Sequence, residues 1–253
     1  MSHVTRSSPG PEEPVWATRR RRVPDAPPDL DLYLVALGEV SEWAAVARRW
    51  ISDVEAARGN ALRDEGRRRD FLDSRVILRH LVAHRLGCPP EDVELPRDSV
   101  TGAPRPATLG PMTEHEPDVL VHYSLARTPG YVAVAMANRP VGVDLELRQT
   151  PSQAEALLRL LHPSDQARLL KESARRRSRA VTDTWVRLEA VVKARGTGLS
   201  ADPSTVNVGG KNRVRHSDGL IVTGVRTRRG TRLHAAVAWF EEPLRNPEPR
   251  HER

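Results

Sequence analysis

Two hydrophobic periods alternate along the chain, and their order predicts its elements. Residues 30–37, LDLYLVAL, form an apolar, alternating stretch that predicts a strand. Ser41, with Glu42 beside it, is placed to cap a helix in which Trp43, Val46, Ala47 and Trp50 recur at three- and four-residue spacing. A second helix is predicted over about 61–86, with Phe71, Leu72, Val76, Leu78, Leu81, Val82 and Leu86 facing inward and Gly87 as its stop. The period then shortens to two. VLVHYSL (119–125), YVAVAMA (131–137) and VGVDLEL (141–147) are separated by the turn residues of 128–130 and 138–140, which predicts an antiparallel meander. Helical spacing returns from about 151 to 195, and strands are expected near 205–208, 219–227 and 232–240.

This order of strand, helices, strands, helices, strands predicts an α+β fold in two roughly similar halves, 29–140 and 141–241. The Pro-rich residues 1–28, with the run Arg19 to Arg22, are expected to form a disordered basic arm, and 242–253 a flexible tail.

Composition changes this picture little. The 253 residues are 38% hydrophobic and 29% charged, enough for a sizeable core, and the formal net charge is +7. Basic charge suits acidic partners. Only Lys171, Lys193 and Lys211 are lysines, and the arginines are scattered without interleaved aromatics, so a nucleic-acid surface is not indicated. The single cysteine, Cys88, excludes an intramolecular disulfide and fits a reducing cytosol. No apolar run is long enough for a membrane span, and no secretory signal is visible, so a cytoplasmic protein is expected.

The chemistry concentrates in two stretches. In PVGVDLELR (140–148), Asp144 and Glu146 lie two apart on a strand and therefore share a face. Neighbouring carboxylates repel unless an arginine, a shared proton or a hard cation offsets them. In TWVRLEAVVKARGTGL (184–199), Glu189 and Lys193 are four apart on a helix, and Glu189 edges the apolar stripe of Trp185, Leu188 and Val192. A surface ion pair would explain Glu189 and Lys193 alone. Three carboxylates and a lysine together are the equipment of metal-assisted phosphoryl transfer, since Mg²⁺ takes oxygen ligands and recruits phosphates.

VGVDLE (141–146) and WVRLEAVVKARGTGL (185–199) resemble the paired motifs of the 4'-phosphopantetheinyl transferases, in their larger monomeric type. RRRDFLDSRVILRHLVAHRLG (67–87), TGAPRP (101–106) and VHYSLART (121–128) resemble the family's upstream segments more loosely. The resemblance implies two α+β halves related by pseudo-twofold symmetry, with antiparallel strands packed on helices and the site in the cleft between halves. It implies transfer of the phosphopantetheine arm of coenzyme A to a serine of an acyl or peptidyl carrier protein, with release of adenosine 3',5'-bisphosphate. Asp144, Glu146 and Glu189 would hold Mg²⁺, Glu189 would deprotonate the serine, and Lys193 would stabilise charge or position that base.

The departures share a theme. Leu188 stands where the family usually has lysine before the motif glutamate. Ala126-Arg127 replaces Ser-His, Gly102-Ala103-Pro104 replaces Gly-Lys-Pro, and Asp70 replaces an arginine. All four positions normally help hold coenzyme A. A basic residue stands near each: Arg187, Arg127, Arg105 and Arg69. Arginine can grip phosphate in place of lysine or histidine with different geometry, so Arg127, Arg105 and Arg69, with Pro104, are the expected coenzyme A contacts. The alternative is a repurposed homologue that binds carrier proteins, or does acid/base chemistry on a carrier-bound intermediate, without coenzyme A transfer.

Overall fold

The computed structural model describes residues 14, 20–99, 104–109, 120–198, 202–228 and 230–242. Most of the expected arm, the tail beyond 242, and Gly102 and Ala103 lie outside the described residues. Residues 20–28 run beside the first strand: Arg21 N–H donates to Leu32 O, and Val23 and Ala26 pack on the core.

In chain order, the first segment comprises β1 (Asp31–Ala36), α1 (Ser41–Val46), α2 (Asp53–Asn60), α3 (Glu65–Leu86), β2 (Val93–Glu94), β3 (Thr108–Leu109), β4 (His122–Thr128) and β5 (Tyr131–Ala137). The second comprises β6 (Val141–Leu147), α4 (Pro151–Leu158), α5 (Pro163–Leu170), α6 (Ala174–Arg195), β7 (Arg213–Arg215), β8 (Leu220–Val225) and β9 (Leu233–Phe240). The fold is α+β, with antiparallel sheets ordered β1-β5-β4 and β6-β9-β8-β7 and a small β2-β3 ribbon. In both main sheets the first strand of the segment bonds to the last.

Local chemistry explains the long helices. Asp64 caps α3 by accepting from Arg67 N–H at 2.7 Å, and Gly87 ends it in the left-handed region at φ 70°. Gly196 ends α6 in the same way at φ 68°. The helix expected over about 61–86 is α3, and a separate helix that was not expected, α2, precedes it, started by the capping box of Ser52 and Glu55. Ser41 is not a cap: its hydroxyl donates to Leu37 O at 2.8 Å from inside the first turn of α1.

The three-strand meander is not formed. Both edges of β5 are taken, by β1 and β4, so β6 pairs instead with β9 and begins the second sheet. Residues 205–208 are not a strand either. Val206 and Val208 are buried under α6, but Val208 N–H donates to the buried Asp165 carboxylate rather than to a neighbouring strand.

Three apolar clusters position the site. Ile77, Leu78 and Leu81 of α3 pack on Val132 and Val134 of the first sheet. Leu188 and Val191 of α6 pack on Val222 and Ala236 of the second. Between the sheets lie Leu32, Ala133, Ala135, Val143, Leu145, Val237 and Trp239. β6 is an edge strand, and β4 satisfies two of its outward N–H groups with side chains. Ser124 Oγ accepts from Val143 N–H at 3.0 Å, and Thr128 Oγ1 accepts from Leu147 N–H at 3.4 Å. This seam sets the edge of one sheet against the other and leaves a cleft between α3 and α6.

Candidate active site

Gly142 decides how α6 lies on β6. A Cβ at this position would stand 2.0 Å from Ala190 O and 2.5 Å from Ala194 N, so the helix backbone rests directly on the strand. This close approach carries Glu189 and Lys193 to the end of β6 where Asp144 and Glu146 project. Lys193 Nζ donates to Asp144 Oδ1 at 2.6 Å and to Val143 O at 3.2 Å. The Thr128 hydroxyl reaches Glu146 Oε2 at 3.5 Å.

Asp144, Glu146, Glu189 and Lys193 line one cavity of about 500 Å³, with Trp185 beside them. Burial, and then the Asp144 charge, push the Glu146 carboxyl up to about 7, against the opposing pull of Lys193. Burial and Asp144 raise Glu189 as well. Asp144 Oδ2 is buried without a hydrogen-bond partner. One ammonium therefore faces three carboxylates, and negative charge is left under-compensated. Among the described residues, no three acidic, histidine or cysteine side chains already stand as a metal cage. The donor set nonetheless fits a hard divalent cation: all the donors are carboxylate oxygens, and one of them is orphaned.

The opposite wall is basic. Arg75 of α3, Arg97, and Arg127 of β4 line the same cavity, together with Phe71, Ser74, Leu125 and Ala126. The Arg127 guanidinium lies 4.9 Å from the centre of the Phe71 ring. Arg75 is buried, and its Nε donates to the buried Glu55. An acidic wall and an arginine wall thus face one space, an arrangement suited to a cation on one side and phosphates on the other.

Residues 140–221 match the family model of the 4'-phosphopantetheinyl transferase superfamily. This segment, about a third of the chain, is what is similar to the superfamily. No curated protein matches the chain significantly. The matched segment contains all four residues of the acidic wall, whereas the three arginines precede it in the sequence.

Of the expected coenzyme A contacts, only Arg127 lines the cavity. Pro104 and Arg105 are exposed and flank Arg97 instead: Pro104 forms a bridge with Arg97, and Arg105 N–H donates to Pro96 O. Arg69 is exposed on α3 and lines no part of the cavity. Arg187 is buried and committed to the backbone, donating to the carbonyls of Asp183, Gly209 and Lys211. Leu188 packs in the core under α6. Asp70 accepts from Gly130 N–H at 3.1 Å and ties α3 to the β4-β5 turn.

Sequence reasoning missed Arg75 and Arg97. Arg75 carried a usable signal, since it lies four residues from Phe71 and directly before Val76, inside the buried face of α3. It missed His234 too. This buried residue pairs across from Glu146 in the β6-β9 register, and its Nδ1 lies 2.6 Å from Asp183 Oδ1.

Proposed function

We propose that the chain transfers the 4'-phosphopantetheine arm of coenzyme A to a serine hydroxyl of an acyl or peptidyl carrier protein. The observation that supports this reading is one cavity whose carboxylates lie in the segment matching the phosphopantetheinyl transferase superfamily model and whose lining also bears three arginines.

Asp144, Glu146 and Glu189 are the residues that would hold Mg²⁺, which when bound offsets charge on the pyrophosphate of coenzyme A. Arg75, Arg97 and Arg127 grip phosphate oxygens from the opposite wall, and Arg127, steadied by Phe71, does so where the family has histidine. Glu189 accepts the proton of the serine hydroxyl, a task helped by its raised basicity. The serine oxygen bonds to the phosphorus bearing the pantetheine arm. The bond from that phosphorus to the bridging oxygen breaks, and adenosine 3',5'-bisphosphate leaves. Lys193 fixes Asp144 and adds positive charge beside the reacting phosphate. The reaction is assigned to a cytoplasmic monomer. Among the described residues, no helix is long and apolar enough to cross a membrane.

The test is the intact mass of an apo carrier protein incubated with this protein, coenzyme A and Mg²⁺, with EDTA and Glu189→Gln controls. The expected result is a metal-dependent phosphopantetheine mass shift that Glu189→Gln abolishes. No shift across several carriers, with no coenzyme A binding, would move the reading to carrier binding without transfer.

A further inference from the structure

The carboxylate of Glu55 lies outside the cavity but controls one of its walls. Glu55 sits in the first turn of α2, 6% exposed, and is shared between two arginines of α3. Its Oε1 accepts from Arg75 Nε, and its Oε2 accepts from Arg79 Nε at 2.7 Å and from Ser52 N–H at 3.1 Å. Burial alone would raise its pKa, but the Arg75 and Arg79 charges hold it below the usual carboxylate range.

The two arginines use this carboxylate differently. Arg79 is also bound to the Pro90 and Val93 carbonyls at 3.1 and 2.9 Å, so it staples α3 to the chain leading into β2. Arg75 instead lines the cavity that holds Arg97 and Arg127. Three guanidiniums around one space repel each other and are held together only by what anchors them. Arg127 rests on Phe71, and Arg75 is held by Glu55.

We propose that Glu55 is a positioning residue: through the Arg75 Nε it fixes that guanidinium in the cavity wall, preorganising the wall for the phosphates of a pyrophosphate-bearing substrate. The identity of that substrate rests on the function proposed above. An arginine already locked in place loses less side-chain freedom when a phosphate arrives. A lysine at 75 would keep the charge but lack the Nε that Glu55 holds.

The experiment measures binding of coenzyme A and, separately, of inorganic pyrophosphate in EDTA, together with the transfer kinetics. The proteins are the full chain, Glu55→Gln, Arg75→Met, Arg75→Lys and Glu55→Gln/Arg75→Met. Glu55→Gln is expected to weaken both ligands roughly 10- to 100-fold, the range for losing one charge-assisted hydrogen bond. It should raise KM for coenzyme A and leave kcat within about twofold, since uniform binding is what is lost. The double variant should bind about as weakly as Arg75→Met alone, because both changes remove one unit. A merely structural Glu55 would add its full effect on binding to that of Arg75→Met, which overturns the proposal. If Glu55→Gln does not fold, Arg75→Lys decides: binding as weak as in Arg75→Met supports the tether, and wild-type binding overturns it. Pyrophosphate binding that depends on Glu55, without coenzyme A binding, would sink the transferase reading while sustaining the tether. Loss of both ligands from the wild-type protein overturns both.

Discussion

The helices α3 and α6 form a natural comparison. Each has 22 residues, each ends at a left-handed glycine, and each packs on one sheet and lends side chains to the same cavity. They reach it by opposite means. α6 is seated directly on β6 by Gly142, and its charged residues meet those of the strand beneath. α3 brings Arg75 to the cavity from a buried face, and a carboxylate on another helix secures it. The acidic wall is thus local to a strand and the helix resting on it. The basic wall is assembled from α3, β4 and the segment after β2, and depends on partners remote in sequence. Chemistry can be concentrated in a compact motif while substrate grip is distributed, and the distributed wall is the one free to be rebuilt.

Substitutions on either wall can break or sharpen this contrast. The largest effect is expected on the acidic side: Glu189→Gln should lower kcat by roughly 10²- to 10⁴-fold, the usual worth of a general base, with coenzyme A affinity in EDTA unchanged. Next comes the seat of α6. Gly142→Ala forces a methyl group into the backbone at Ala190 and should cost at least about 3 kcal/mol, read as a lower melting temperature. Equal melting of the variant and the wild type would refute the close approach. On the basic side, Arg127→Ala should raise KM for coenzyme A roughly tenfold, the loss of one charge-assisted contact, with kcat nearly intact.

A smaller effect is expected from pH. The Glu146 carboxyl is raised in the folded state to about 7, so between its ordinary value of 4.5 and about 7 the folded protein holds a proton that the unfolded chain has lost. Stability in EDTA should therefore decline as pH rises through that window, and Glu146→Gln should flatten the decline. Mg²⁺ should flatten it too, by replacing the proton as counter-charge. A melting temperature independent of pH over that range, in EDTA, would remove the charge crowding from the acidic wall. The smallest changes are expected from Arg69→Ala and Arg105→Ala. Both residues are exposed and outside the cavity lining, and coenzyme A KM should move less than about threefold, as for surface substitutions generally.

The same contrast explains what could be read from the chain alone. Asp144 and Glu146 share a strand face, and Glu189 and Lys193 share a helix face, so short-range periodicity was enough to group each pair, while the paired-motif resemblance joined the two pairs. The cavity lining contains all four. β1, β4, β5, β6, β8 and β9 followed from period-two runs for the same reason. Pairing did not follow, because which strand occupies an edge of β5 depends on β1, nearly a hundred residues earlier. Arg75 stood out from the chain's many arginines only by its place on the apolar face of α3, and its contact with Glu55, twenty positions away, could not be read from the sequence. Arginines near the altered family positions were found by proximity in sequence, and on a helix neighbours in sequence point in different directions.

The seam between β4 and β6 bears on how the polypeptide can be divided. Two hydroxyls, on Ser124 and Thr128, accept the outward N–H groups of β6 at Val143 and Leu147. A cut between Ala137 and Val141 would leave that edge bare and would uncover the apolar residues between the sheets. Bare edges template pairing between copies. Fragments expressed apart should therefore precipitate and, co-expressed, dissolve as a complementing pair, which makes this junction a place to split the protein into a reporter of two-fragment assembly.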